Sequence, residues 1–164
     1  MGTLLFGTLR PLLDVLLVLR YTLHLLAVEG ITPEARQTAF DYRVRLSKTM
    51  VDASPSWEDR LVLATIARHE SRFDFEVGRC AIASSAGALG PWQVVPFTQG
   101  ERQSMCINPD TDAYRALMRV RESQRMCRYH AKPLQLAAYA VGKCDSEEGQ
   151  RLSLHRWPLG WGRE

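Results

Sequence analysis

The chain has 164 residues, 46% of them hydrophobic and 24% charged, with a formal net charge of +3. This is the composition of a folded domain with a real core, and it excludes a disordered chain. The charge is too small to argue for nucleic acid, neither a Gly-rich phosphate loop nor a zinc-type cysteine spacing is present, and no metal or cofactor is called for.

Residues 4–28 are leucine-rich, but Asp14, Arg20 and His24 interrupt the run. A charge in mid-span costs about 2.5–3.5 kcal/mol even on a lenient insertion scale. The first nine residues carry no Lys or Arg, so the basic start of a signal peptide is missing. The run reads as an amphipathic or buried helix that can contact a membrane or a partner, with a non-standard signal-anchor left open. Thr32-Pro33-Glu34 then reads as N-cap, N1 proline and acidic first turn. Ala35, Ala39, Tyr42, Leu46 and Met50 follow at helical spacing, and this second helix reads as structural.

Ser54-Pro55-Ser56 breaks it and leads into a third helix from Trp57, with Ser56 as N-cap and Asp59 three residues on. Val62, Ile66 and Glu70 are spaced by four, flanked by Leu63 and Ala67, so Glu70 continues an apolar stripe in the last turn. Burial and the helix dipole both disfavour the charged form there, so a carboxyl that keeps its proton near neutral pH is expected. A general acid needs that property. The plain alternative is a solvated Glu at a fraying helix end.

Residues 74–100 lose periodicity and hold four glycines and two prolines, a long irregular stretch of the kind that usually carries function. Helical pattern returns at Asp112, with Ala113, Ala116, Leu117, Val120 and Cys127 on one face. Pro133 begins another helix, with Leu134, Ala137, Ala138 and Val141 inward and Gly142 as its stop. The tail from Leu152 is expected to be loosely packed. No strand pattern stands out, so the chain reads as mainly α. The expected division is an N-terminal helical segment (1–55), a main domain (56–150) and a tail (151–164).

Four cysteines, none in a Cys-x-x-Cys pair, fit two disulfides in an oxidising compartment. Of three connectivities, Cys80–Cys106 with Cys127–Cys144 closes the shortest loops, and Cys80 and Cys106 bracket the irregular segment. A helix starting at once at Pro133 would carry Cys144 away from Cys127, and Cys80–Cys144 is the rival pairing.

Three segments together resemble the catalytic domain of soluble lytic transglycosylases, relatives of goose-type lysozyme. They are Glu70-Ser71-x-Phe73, the stretch from Ser84 to Pro96 with its Gly87-Ala88-Leu89-Gly90-Pro91-Trp92-Gln93, and Ala137-Ala138-Tyr139-Ala140-Val141-Gly142. Asn108-Pro109 sits where the family often has such a pair. The resemblance covers about residues 56–145. Pro91-Trp92 replaces the family's Leu-Met, and Ala140 replaces its Asn.

The resemblance implies a lysozyme-like single domain, with additional N-terminal helices, around a cleft for peptidoglycan glycan strands. Glu70 would be the single acid/base, first protonating the oxygen between N-acetylmuramic acid and N-acetylglucosamine. It would then take the proton of the muramyl C6 hydroxyl as a 1,6-anhydro ring closes. Ser71 and Trp92 would contact substrate, Trp92 by packing on a sugar ring. Gln93 would hydrogen-bond the sugar or its N-acetyl group, and Tyr139 would hold the Glu70 carboxyl. A hydrolytic lysozyme, which needs a second carboxylate or a bound water opposite Glu70, is one alternative. A non-catalytic peptidoglycan-binding virion or envelope module is another. The expected setting is extracytoplasmic, reached by phage delivery or through a secretion system, and the expected state is a monomer.

Overall fold

The computed structural model describes residues 13–20, 32–107 and 109–157, without the side chains of residues 106–111. The protein is mainly helical, as expected. Residues 13–20 are helical and form α1. Then come α2 (Pro33–Ala53), α3 (Trp57–Ser71), α4 (Phe75–Gly78), α5 (Gln99–Ile107) and α6 (Pro109–Met126). A 3-10 turn (Lys132–Leu134), α7 (Ala137–Val141) and α8 (Glu147–Arg156) complete the order.

The helix starts follow local chemistry. Thr32 caps α2, its hydroxyl accepting from the Ala35 amide at 3.3 Å. Ser56 caps α3 by accepting from the Asp59 amide at 3.4 Å. In each case a hydroxyl satisfies an amide that the first turn leaves without a partner. The α5 helix was not read from the sequence, yet it has a Thr98-x-x-Glu101 start. Thr98 Oγ1 accepts from the Glu101 amide at 3.1 Å, and Glu101 accepts from the Phe97 amide at 2.6 Å.

One core joins the elements. Tyr42, Leu46 and Met50 of α2, Val62, Leu63, Ile66 and Ala67 of α3, and Ala113, Ala116, Leu117 and Val120 of α6 are its body. Val18 of α1 and Trp157 after α8 belong to the same cluster. The predicted apolar stripes of α3 and α6 are therefore the buried faces. The charge in the leucine-rich run has a structural reason: Asp14 pairs with the buried Arg60 of α3 at 2.8 Å. Leu13, Leu16 and Leu17 on α1 are exposed; residues 4–12 and 21–28 lie outside the described residues. Among the described residues, no helix is long and apolar enough to cross a membrane.

Two expectations are corrected. The helix expected from Pro133 is broken: the 3-10 turn is followed, two residues later, by the five-residue α7. That break returns Cys144 to Cys127, and the two are disulfide-bonded with Cα atoms 5.3 Å apart. Cys80 is also in a disulfide, but the Cys106 side chain lies outside the described residues, as does the Asn108 of the Asn108-Pro109 pair. The tail is not loose as far as it is described. Ser146 caps α8 by accepting from the Gly149 amide at 3.2 Å, and Ser153, Arg156 and Trp157 are buried.

Candidate active site

Glu70 lies in the last turn of α3, one residue before the helix ends. Ser71 makes that end. Its hydroxyl donates to the Ala67 carbonyl at 2.8 Å and accepts from the Phe73 amide at 3.2 Å. Arg72 and Phe73 then both take positive φ, 55° and 56°. Two successive left-handed non-glycine residues are unfavourable, and the buried Phe73 ring together with the Ser71 bond holds them. Ser71 is buried and committed to the backbone. The expectation that it touches substrate is corrected.

The Glu70 carboxyl is held by Arg156, not by Tyr139. Arg156 Nε and Nη2 both reach Glu70 Oε1, at 2.7 and 2.5 Å. The two side chains are 18% and 10% exposed. Both bonds fall on one oxygen, and Oε2 carries no hydrogen bond among the described residues. The Glu70 carboxyl is thus in an ion pair with the Arg156 guanidinium. Nearby, His69 is pushed below its ordinary range by burial first, then by Arg68, Arg156 and His155. Arg156 is the main residue that sequence reasoning missed. Ser146-Glu147-Glu148, a cap followed by an acidic first turn, was the available signal for its helix.

The second segment is a tight turn. Leu89 and Val94 pair through two backbone bonds of 3.1 Å, and the Gln93 amide donates to the Gly90 carbonyl at 3.2 Å. Pro91 occupies the second turn position, where its fixed φ suits the bend. Gly90 has φ 71°, and a Cβ there would lie 2.0 Å from Asp112 Oδ2, so no side chain fits. The turn drives Trp92 into the core. It is 0% exposed, and its indole N–H donates to the Leu63 carbonyl of α3 at 2.9 Å. Trp92 therefore does not present a face to a sugar, which corrects that expectation. Trp92→Ala should destabilise the protein by about 3–5 kcal/mol, whereas Trp92→Phe should cost less; denaturant midpoints would measure both.

Gln93 (φ 50°) is half-buried, its Nε2 donating to the Gly90 carbonyl at 3.0 Å. Tyr139 of α7 is set by two serines. Ser123 of α6 accepts from the Tyr139 amide at 2.8 Å and donates to the Gln135 carbonyl at 2.7 Å. Ser153 of α8 accepts from the Leu136 amide at 3.0 Å. The Tyr139 hydroxyl then donates to the Trp92 carbonyl at 2.8 Å. Its titration is pushed well up, by burial first and then by Glu70 and Asp112. Tyr139 thus lies in the field of Glu70, but its hydroxyl fastens the Trp92 turn.

Gln93 and Tyr139 line one cavity of about 300 Å³, with Ala138, Arg119, Ser123 and Met126. A second, of about 350 Å³, adjoins it along α6 and is bounded by Pro96, Phe97 and Met118. Val94, Val95, Arg119 and Glu122 line both. A third, at Tyr129 and Lys143, shares Met126 with the first. The first two run together along one face of α6 as a groove, and the third meets it at Met126, where α6 ends. Glu70 does not line any of these three described cavities; of the residues that do, Tyr139 feels its charge. No protein-family model matches the chain, and no curated protein and no solved structure matches it.

Proposed function

We propose that the protein is a peptidoglycan-cleaving lytic transglycosylase with a lysozyme-like fold and Glu70 as its single acid/base. What supports this most is the convergence of the three segments that carry the resemblance. Trp92 binds the Leu63 carbonyl on the Glu70 helix, Tyr139 binds the Trp92 carbonyl, and Gln93 and Tyr139 share a cavity. Glu70 and Tyr139 lie 69 positions apart in segments that a catalytic constellation needs together.

The chemistry assigned to Glu70 divides between its oxygens. Oε1 is anchored on Arg156, and Oε2 faces no described donor, so Oε2 carries the transferred proton. In the first step that proton goes to the glycosidic oxygen as the bond to muramyl C1 breaks, and the substrate's N-acetyl oxygen stabilises the positive centre. In the second step the C6 oxygen bonds to C1 and its proton returns to Oε2, closing the 1,6-anhydro ring. The Arg156 charge stabilises the carboxylate that stands between the two steps. Peptidoglycan glycan strands are the partner, and the setting is extracytoplasmic.

Two carboxylates near Glu70 in sequence are already engaged. Asp74 caps α4 by accepting from the Glu76 and Val77 amides at 2.8 and 3.1 Å, and Glu76 pairs with Arg79 at 2.6 Å. Both serve the short α4 and its C-terminal Arg79, and neither lines the described cavities, which favours the lyase. The Arg156 pair favours a second reading, a non-catalytic glycan-binding module in which Glu70 merely ties α8 to α3. Loss of cell-wall turbidity on adding purified protein separates enzyme from binder.

Gln93→Ala should weaken turnover without unfolding the domain. Tyr139→Phe should do the same and lose about 0.5–1.5 kcal/mol of stability with its hydrogen bond. Steady-state rates on purified cell walls and thermal melts check both, and unchanged kinetics for the pair would confine the functional assignment to Glu70.

A further inference from the structure

The groove along α6 contains two arginines and two glutamates, and three of the four are committed. Arg115 donates to the Glu101 carbonyl at 3.2 Å and lies 4.0 Å from its carboxylate. Glu101 also accepts from the Phe97 amide. Glu122 pairs with Arg125 at 2.7 Å. Arg119 stands apart. It lines both adjoining cavities, and among the described residues no carboxylate pairs with it.

Arg119 is nonetheless held in place. Its guanidinium lies over the Phe97 ring, 4.1 Å from the centroid, and that ring is 75% exposed. A guanidinium held over an aromatic ring by its charge still has N–H groups to offer a planar anion. Its charge reaches the Tyr139 hydroxyl and Glu122. A half-buried cation that makes no ion-pair contact among the described residues, at the junction of two cavities, has hydrogen-bonding capacity left for an anion.

The geometry points to Arg119 as a specificity-determining residue that takes a carboxylate of the peptide carried by the muramyl lactyl ether. This deepens the peptidoglycan reading and rests on it. A neutral polymer of N-acetylglucosamine has nothing for Arg119, whereas a peptide-bearing muramyl sugar carries carboxylates beside the glycan chain. The Phe97 and Arg119 end of the groove then reads the peptide, and the Gln93 and Tyr139 end holds sugar.

The experiment is calorimetric binding with the full chain carrying Glu70→Gln, so that probes are not turned over. One probe is a peptide-bearing muramyl tetrasaccharide, and the other is the same molecule with its carboxylates converted to amides. We expect amidation to weaken binding by about tenfold or more, the size of one charge-assisted contact. Adding Arg119→Gln should weaken binding of the acid probe by a similar factor and leave the amide probe unaffected, while Arg119→Lys should recover part of the loss. Arg119→Ala is a second truncation, and thermal melts show that each variant is folded. Equal binding of the two probes, or an equal loss for both on Arg119→Gln, overturns the role of Arg119 and leaves the peptidoglycan reading standing. Failure of both probes to bind with Arg119 intact overturns both.

Discussion

Glu70→Gln should lose about 10²–10⁴ of the glycan-cleaving rate, the usual contribution of a general acid/base. Gln keeps the shape and can still accept a hydrogen bond from Arg156 through its amide oxygen, but it has no proton to give to a glycosidic oxygen. The substitution also leaves the Arg156 guanidinium without its counter-charge at a site where both side chains are mostly buried. A stability loss of about 1–3 kcal/mol is therefore expected alongside the lost activity. Denaturant unfolding measures that loss, and turbidity clearing of cell walls measures the rate. Retention of more than about a tenth of the turnover would remove Glu70 from the chemistry.

Asp112→Asn should change how stability depends on pH. Asp112 is 0% exposed beneath Gly90, and neither carboxyl oxygen has a hydrogen-bond partner among the described residues. Burial pushes its carboxyl from the ordinary 3.8 up to about 8, with Arg115 pulling the other way. The folded protein therefore keeps a proton that the unfolded chain gives up. Stability is full below about pH 4, falls as pH rises through the folded value of about 8, and levels off above it. Each unit of that gap is worth about 1.4 kcal/mol, so the fall amounts to several kcal/mol. Denaturant midpoints from pH 4 to 9 should show that slope in the wild type and a shallower one in Asp112→Asn. Equal slopes would mean that Asp112 is ionised in the folded protein.

Much of the helical layout was legible because the caps and periods act locally. Thr32-Pro33-Glu34 starts α2, and Val62, Leu63, Ile66 and Ala67 face inward as their spacing requires. The misses are instructive in the same terms. Thr98 and Glu101 are a capping-box pair, but glycines nearby hid a helix that its own start signal announces. The Pro133 helix failed because Ser123 and Ser153 bind the carbonyls of Gln135 and Pro133, fixing the connection from outside the segment. Cys127–Cys144 follows from that interruption.

The candidate site was legible only in its parts. Glu70, Gln93 and Tyr139 could be named from their segments, but their partners could not. The residue that holds Glu70 is 86 positions away, in a stretch whose polarity suggested a loose end. Trp92 was read as a sugar platform because it is aromatic in a motif; a turn fixed by Gly90 and Pro91 instead points it inward, where Leu63 accepts its N–H. Side-chain type is visible in a sequence, whereas direction depends on the backbone turn that carries the residue.

The most direct test of the central claim is mass spectrometry of the fragments released from purified peptidoglycan by the wild-type protein and by Glu70→Gln. Wild type should release muropeptides ending in 1,6-anhydro-N-acetylmuramic acid, 18 mass units (about one water) below the hydrolysed product, and Glu70→Gln should release none. Fragments with reducing muramyl ends, or equal release by the two proteins, would contradict a lytic transglycosylase that works through Glu70.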